Sequence, residues 1–169
     1  MLENLKICKE CGGTCCKYGG GCIFHPNQFI EISNDSIISI LKTGIVSIDF
    51  WWGNPVAEDP EADITYFAYY LRMRNNDEPI VTQKEIYLHQ RCAIYNEKCP
   101  LELKYRPAEG AHLIPDENRK CHIDNHDFTK HGLAIAWLPY NQILTNIVES
   151  NKNDLNYEMH ESSVNELKN

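Results

Sequence analysis

The apolar positions in the first half of the chain predict one helix. Residues 33–43 carry apolar side chains at i, i+3 and i+4, which is the spacing of a helix face. These positions are Ile37, Ile40 and Leu41. Ser33 or Asn34 can cap the start of the helix, and Gly44 lies where a C-terminal glycine belongs.

A change of period after this helix predicts a strand. Residues 45–52 alternate, so that every second side chain points the same way. The side chains of this set are Val46, Ile48, Phe50 and Trp52. Residues 65–74 are rich in aromatic side chains and predict a second strand, and residues 85–89 predict a third.

The second half of the chain is less regular. Residues 91–121 show no clear period and are interrupted by prolines. Residues 128–149 return to helical spacing, with Asp127 or Thr129 near the cap. Pro139 lacks a backbone N–H, so we expect it to kink or restart this helix.

Charge and composition narrow the classes of function. The formal net charge of −8 disfavours binding to nucleic acids or anionic membranes, because both need Lys and Arg against phosphate. No apolar run approaches the ~20 residues that span a bilayer. Residues 1–6 lack the apolar part of a secretory signal. We therefore expect a cytoplasmic protein that binds a metal, a small ligand, or a protein or peptide partner.

Eight cysteines carry the strongest chemical signal in the chain. Four of them form the compact pattern Cys8-x2-Cys11-x3-Cys15-Cys16. Thiolates are soft ligands for zinc, iron and iron–sulfur clusters, and several close in sequence converge on one ion at little entropic cost. In a reducing cytosol such a cluster is more typical of a metal site than of disulfides or redox thiols.

The remaining cysteines extend the set of candidate metal ligands. Cys22 closes the first cysteine segment, and Cys92, Cys99 and Cys121 follow much later, with His112 and His122 as further candidates. A structural zinc site needs four ligands, typically as two close pairs. Eight cysteines could fill two such sites, or one cluster with reserve thiols. Cys22 could instead be a buried thiol.

These features predict an α+β fold. We expect a small antiparallel sheet of about three strands, two or three helices, and irregular cysteine-rich loops that bind metal. Residues 1–150 are expected to form a single cysteine-cluster domain, and residues 151–169 a polar, flexible tail.

Several short motifs occur together over roughly residues 8–145. They are Cys8-Lys9-Glu10-Cys11-Gly12-Gly13-Thr14-Cys15-Cys16, Arg91-Cys92-Ala93-Ile94-Tyr95, Lys98-Cys99-Pro100-Leu101, Arg106-Pro107, Leu113-Ile114-Pro115, Cys121, and Trp137-Leu138-Pro139-Tyr140-Asn141-Gln142. This arrangement resembles the CxxCxxCC (YkgJ-like) family of zinc- or iron-chelating cysteine-cluster proteins. The resemblance implies metal binding by the cysteines.

One departure from the family pattern is plain. Family members usually carry a cysteine shortly after the Arg-Pro dipeptide, whereas Gly110 occupies that place here. Either His112 or Cys22 substitutes as a ligand, or one site is incomplete. The full ligand set of the family therefore does not transfer to this chain.

The leading prediction is a metal-binding protein with cysteine-ligated zinc or iron, in a storage, scaffold or accessory role. One alternative is an iron–sulfur oxidoreductase or electron carrier. Another is a metal-dependent enzyme that modifies a protein or peptide, because a related cysteine motif occurs in a flagellin lysine methylase. The sequence assigns no catalytic residue, so it leaves open whether the protein is an enzyme.

The aromatic and arginine side chains indicate a function less specifically than the cysteines do. The aromatic residues of the two predicted strands are expected in the core and on the sheet surface, or as a wall around a cluster or peptide pocket. They are Phe50, Trp51, Trp52, Tyr66, Phe67, Tyr69 and Tyr70. Arg72, Arg74 and Arg106 are expected at surface or structural positions rather than in an anion site.

Overall fold

The computed structural model confirms the α+β class. It describes residues 21–60, 66–76, 78, 80, 92–95, 100–115, 118 and 121–150. Within these residues, an antiparallel pair of strands packs against helices, and a second pair forms a short hairpin. The predicted third strand at 85–89 and the predicted tail at 151–169 lie outside the described residues.

Eight elements define the described part of the chain. They are α1 (Asn34–Leu41), β1 (Val46–Trp52), β2 (Phe67–Met73), α2 (Ala108–Ala111), β3 (Ile114–Pro115), β4 (Cys121–His122), α3 (Lys130–Trp137) and α4 (Asn141–Ser150). Single 3₁₀ turns occur at Pro26–Gln28, Leu103–Tyr105, His126–Phe128 and Leu138–Tyr140. No helix in these ranges has the length and apolar character needed to cross a membrane.

Helix α1 forms as its sequence predicts. The Ser33 hydroxyl accepts a hydrogen bond from the Ser36 amide, and the Ser36 hydroxyl accepts one from the Ser33 amide, so the two residues form a capping box. Gly44 follows the helix with a φ of 74°, a conformation that favours glycine. The predicted bounds are correct to within two residues.

Strands β1 and β2 pair in antiparallel register, from Val46 opposite Met73 to Trp52 opposite Phe67. The side chains predicted to share one face of β1 are buried at its start, at Val46, and exposed at its end. Trp52 is 52% exposed to solvent. The opposite face of β1 is also buried at its start, where polar side chains are covered. The sheet is therefore buried on both faces at one end and open at the other.

A buried ion triad explains the polar residues on this covered face. The Arg72 guanidinium is 2.7 Å from a carboxylate oxygen of Asp49 and 2.9 Å from one of Glu78. All three residues are buried. Arg72 is thus one of the structural arginines allowed by the sequence, with its charge compensated inside the protein.

The predicted long C-terminal helix divides in two at Pro139. Thr129 caps α3 by accepting a hydrogen bond from the Gly132 amide at 3.2 Å. Helix α3 ends at Trp137, a 3₁₀ turn carries Pro139 in its first turn, and α4 begins at Asn141. The restart follows because proline cannot donate the hydrogen bond that a continuous helix requires.

Side chains from the helices and both long strands meet in one hydrophobic core. The largest fully buried apolar members are Trp137, Tyr70, Ile37, Leu41, Ile48, Leu71, Ile80, Leu133, Leu144, Ile147 and Val148. Helices α1 and α4 pack against each other, and α3 packs on both strands. The ring of His131 on α3 stacks on Trp51 of β1, with centroids 5.0 Å apart.

Four backbone groups on the edge of β2 that faces away from β1 have hydrogen-bond partners from other segments. The Phe24 amide donates to the Leu71 carbonyl, and the Met73 amide donates to the Cys22 carbonyl, both at 2.9 Å. Further along, the Asn141 side chain accepts from the Tyr69 amide at 2.8 Å and donates to the Phe67 carbonyl at 2.9 Å. A short backbone segment and one amide side chain therefore replace a third strand here.

Candidate metal centre

The described residues contain three of the eight predicted thiolate ligands, namely Cys22, Cys92 and Cys121. The other predicted ligands lie outside the described residues. They are Cys8, Cys11, Cys15, Cys16 and Cys99.

The backbone around Cys22 is fixed against the end of β2. A Cβ added to Gly21 would lie 1.6 Å from the Met73 carbonyl oxygen, so only glycine allows this close approach. The backbone carbonyl of Cys22 accepts a hydrogen bond from the Met73 amide. Ile23 pairs with Arg72 as an isolated antiparallel bridge. The end of the first cysteine segment is thus held in register with β2.

Glu109 attaches helix α2 to this segment. Its backbone amide donates to the Ile23 carbonyl at 3.1 Å, and its carboxylate accepts from the Ile23 amide at 2.7 Å. Burial raises the pKa of the Glu109 carboxyl, against opposing effects of the Ile23 hydrogen bond, Lys130 and Arg72. The same residue therefore uses both its backbone and its side chain to position the neighbour of Cys22.

Gln28 provides a second attachment. Its side-chain oxygen accepts from the Ala108 amide at 2.8 Å, and its side-chain nitrogen donates to the Arg106 carbonyl at 2.8 Å. Sequence reasoning did not single out Gln28 or Glu109. No local pattern identifies them, because their partners are about 80 residues away in the chain.

Helix α2 brings Gly110 to the thiol of Cys22. A Cβ at position 110 would lie 3.0 Å from the Cys22 Sγ and 3.3 Å from its Cβ. The position where the family resemblance implies a cysteine is therefore in direct contact with a cysteine from another part of the chain. Glycine at 110 leaves the space that the Cys22 side chain uses.

His112 has a different environment. Its Nδ1 lies 2.8 Å from the Ala108 carbonyl oxygen, and its ring stacks on Phe128 with centroids 3.5 Å apart. His112 follows the last residue of α2, and its ring packs on Phe128 rather than continuing the helix. If Nδ1 donates to the Ala108 carbonyl, Nε2 remains able to bind a metal.

Cys92 reaches the same end of the sheet from the second cysteine region. It is 5% exposed and pairs with Asn75 as an isolated antiparallel bridge. The Ala93 amide donates to the Arg74 carbonyl at 2.8 Å. Cys22 lies opposite Met73 at the end of β2, and Cys92 lies opposite Asn75 just beyond it, so the two cysteines pair with positions two residues apart, about 7 Å along an extended chain.

Cys121 and His122 lie in the short hairpin. Cys121 pairs with Pro115, and His122 is exposed, with its Nε2 3.2 Å from a carboxylate oxygen of Asp124. In the described part of the chain, no three His, Cys, Asp or Glu side chains are grouped as metal ligands would be. The geometry therefore relates two cysteines to one strand end and leaves the full ligand set a prediction.

His25 and His131 make contacts within the fold. His25 Nδ1 accepts a hydrogen bond from the Asn27 amide at 3.1 Å, and burial lowers the pKa of His25, opposed by Asp127. A ring nitrogen of His131 lies 2.8 Å from the Pro55 carbonyl oxygen. These contacts orient both rings through groups of the protein itself.

Some motif residues that carry the family resemblance make hydrogen bonds that hold described segments of the fold together. The Trp137 indole N–H donates to the Phe24 carbonyl at 2.7 Å, and Asn141 covers the edge of β2. The Arg106 guanidinium donates to the Leu101 carbonyl at 3.1 Å.

Comparison of the chain with known protein families, curated proteins and solved structures finds no match.

Proposed function

We propose that this protein binds zinc or iron through cysteine thiolates and belongs to the CxxCxxCC (YkgJ-like) family. The observation that carries the proposal is the placement of Cys22 and Cys92 at one end of β2, opposite Met73 and Asn75. Two cysteines separated by seventy residues in the chain are thereby available to one region.

Chain length supports recruitment of further thiolates to this region. Cys16 is six residues before Cys22, so its Cα lies within about 20 Å of that of Cys22 in any conformation. Cys99 is seven residues after Cys92, which places it within about 24 Å. The lengths of chain between Cys16 and Cys22 and between Cys92 and Cys99 therefore allow these thiolates to bind one metal.

The contact with Gly110 favours Cys22 over His112 as the substitute ligand. The Cys22 thiol lies beside position 110, whereas the His112 ring stacks on Phe128. We assign the proposed metal to the candidate thiolates Cys8, Cys11, Cys15, Cys16, Cys22, Cys92, Cys99 and Cys121. Such a set requires reducing conditions, which agrees with a cytoplasmic protein in a storage, scaffold or accessory role.

The first experiment measures metal content on protein purified without oxygen, with a visible spectrum of the same sample. One or two zinc ions per chain and no visible absorption would support a zinc protein. Iron with sulfide and a band near ~400 nm would identify an iron–sulfur protein. A chain without stoichiometric metal after anaerobic purification would refute the proposal.

Serine variants test the ligands. Cys11→Ser, Cys15→Ser and Cys22→Ser are expected to lower metal content and melting temperature together, because metal binding is coupled to folding. Leu144→Ala serves as the control, since it removes a buried core side chain without removing a thiol. It should lower the melting temperature and leave the metal content unchanged.

A further inference from the structure

A histidine caps the turn that follows Cys22. His25 precedes the 3₁₀ turn Pro26–Gln28, and its Nδ1 accepts a hydrogen bond from the Asn27 amide at 3.1 Å. In return, the Gln28 side-chain oxygen accepts from the His25 amide at 2.9 Å. Capping positions usually carry Ser, Thr, Asn or Asp, none of which titrates near neutral pH. Histidine makes this cap sensitive to protons.

Gln28 links the turn to helix α2. The oxygen that caps His25 also accepts from the amide of Ala108, the first residue of α2, at 2.8 Å. The side-chain nitrogen of Gln28 donates to the Arg106 carbonyl at 2.8 Å. Gln28 is exposed, so water competes for these hydrogen bonds and each is weak. A local change in the turn is therefore enough to break them while the core stays folded.

The hydrogen-bond partners of the rings decide how they respond to protonation. A backbone amide can only donate, so Nδ1 of His25 is unprotonated while it accepts from Asn27. A proton on this nitrogen must break the bond, because both groups would then be donors. His112 differs, since its Nδ1 lies beside the Ala108 carbonyl oxygen, which can only accept, and that bond survives protonation of the ring.

Asp127 offers an alternative partner to a protonated His25. The turn His126–Phe128 packs beside His25, whose ring lies 6.4 Å from that of Phe128. Burial lowers the pKa of His25, and the charge of Asp127 opposes this effect. The neutral ring is thus favoured by burial and by its bond to Asn27, whereas the charged ring is favoured by Asp127.

The other titratable side chains on the elements around His25 have contacts elsewhere. These contacts are the Leu101 carbonyl for Arg106, the Ile23 amide for Glu109, the Phe128 ring for His112 and the His131 ring for His126. Among the residues that the structure describes, Asp127 is therefore the charge that acts on His25.

We propose that His25 and Gln28 form a pH-sensitive latch on helix α2. Neutral His25 keeps the turn closed, so that Gln28 holds the start of α2. Protonated His25 turns to Asp127 and releases it. Because α2 carries Gly110 against the Cys22 thiol, the open latch loosens one side of the proposed metal site and weakens metal binding. This consequence for the metal rests on the proposed function, whereas the latch itself does not.

The direction of the pH effect follows from the lowered pKa of His25. The folded protein binds this proton less tightly than the unfolded chain, in which the ordinary pKa of 6.5 applies. The stabilisation by the latch is therefore complete above pH 6.5 and is lost as the pH falls through the folded pKa.

Hydrogen exchange of the full-length protein, measured by NMR between about pH 5 and pH 7.5, tests the latch. Each rate is divided by the intrinsic rate at the same pH. Protection of the Asn27 and Ala108 amides should fall about three- to tenfold on acidification, as expected for the loss of one cap. His25→Asn keeps a capping oxygen that does not titrate, so its protection should stay high throughout. His25→Ala should show low protection at every pH.

His126→Asn is the matched control, because it removes a nearby exposed histidine that is not part of the latch. It should keep the pH dependence of the unmodified protein. Protection that does not change with pH in the unmodified protein would overturn the proposal. So would a fall of equal size in His25→Asn, since another group would then be responsible.

Zinc binding separates the latch from the proposed function. Competition with a chromogenic chelator gives the affinity for Zn²⁺, which falls with pH in every variant because the thiols become protonated. The affinity of the unmodified protein should fall about threefold further than that of His25→Asn. A constant ratio of the two affinities would refute regulation of the metal by the latch. If neither protein binds stoichiometric zinc, the zinc form of the proposed function fails, and the exchange rates still decide on the latch.

Discussion

The Sγ of Cys22 lies 3.0 Å from the point where a Cβ on Gly110 would stand. Across a disulfide, the sulfur of one cysteine and the Cβ of the other are separated by about 3 Å, as follows from a bond of about 2.04 Å between the sulfurs. The Sγ–Cβ distance is therefore that of a disulfide, and the Cβ–Cβ distance of 3.3 Å is slightly shorter than the usual range of about 3.5–4.5 Å, so a small shift of α2 would suffice.

This relationship predicts that Gly110→Cys forms a disulfide with Cys22 when metal-stripped protein is oxidised. Peptide mapping by mass spectrometry under non-reducing conditions should find the two residues linked. Ala111→Cys is the control, because the next helical position points about 100° away. If the linked peptide forms equally from both variants, or from neither, the placement of α2 against Cys22 is wrong.

Removal of the Asn141 side chain should destabilise the fold. Asn141→Ala leaves the Tyr69 amide and the Phe67 carbonyl without their hydrogen bonds, which we expect to cost about 2 kcal/mol. Urea titration of the free energy of unfolding provides the measurement. The neighbouring exposed residue gives the control, as Gln142→Ala should change stability by less than about 0.5 kcal/mol. Similar losses in the two variants would contradict the assigned role.

The buried triad predicts a larger effect. Arg72→Met leaves the carboxylates of Asp49 and Glu78 buried without their cation, at an expected cost of about 3–5 kcal/mol. Lys104→Met, which removes an exposed ion pair with Glu102, should cost less than about 1 kcal/mol.

The Arg72→Met variant is expected to recover part of its stability when both acids are neutralised. The triple variant with Asp49→Asn and Glu78→Gln removes the uncompensated charges, so its unfolding midpoint should lie above that of Arg72→Met alone. A midpoint equal to or below that of the single variant would show that charge imbalance is not the cause of the loss.

The carboxyl of Glu109 predicts a pH effect of defined sign. Burial raises its pKa in the folded protein above the ordinary value of 4.5. The folded state therefore holds this proton more tightly than the unfolded chain does. The stabilisation from this group is complete below about pH 4.5 and is lost as pH rises through the folded pKa.

Glu109→Gln keeps an oxygen that can accept from the Ile23 amide but removes the titration. The free energy of unfolding of the original protein should therefore fall, relative to the variant, as the pH rises above about 4.5 and through the folded pKa of Glu109. Denaturation at several pH values measures both curves. Parallel curves would mean that Glu109 is not strained by burial.

The elements with strong local signals were predictable from the sequence. Helix α1 has a capping serine and a terminal glycine, and β1 alternates over a full strand length. The restart at Pro139 follows from the covalent structure of proline. In each case the deciding interaction lies within a few residues, so a single sequence contains it.

Features that depend on distant partners were not predictable. The sequence cannot show that Asn141 serves as the edge of β2, or that Arg72 meets Asp49 and Glu78, because no local period encodes these contacts. Helix α2 and the hairpin of β3 and β4 are too short to produce a periodic pattern. The same holds for the candidate site. Its cysteines are evident in the sequence, whereas the contact between Cys22 and position 110 joins distant residues and is not.

The covered edge of β2 also bears on self-assembly. An exposed strand edge offers backbone groups to which another chain can add a strand, and this is how many sheets begin to form fibrils. On β2, segment 21–24 and Asn141 already occupy four of those groups, between Phe67 and Met73. Polymerisation through this strand must therefore begin with a partly opened molecule, so the rate of opening, rather than the rate of collision, limits it.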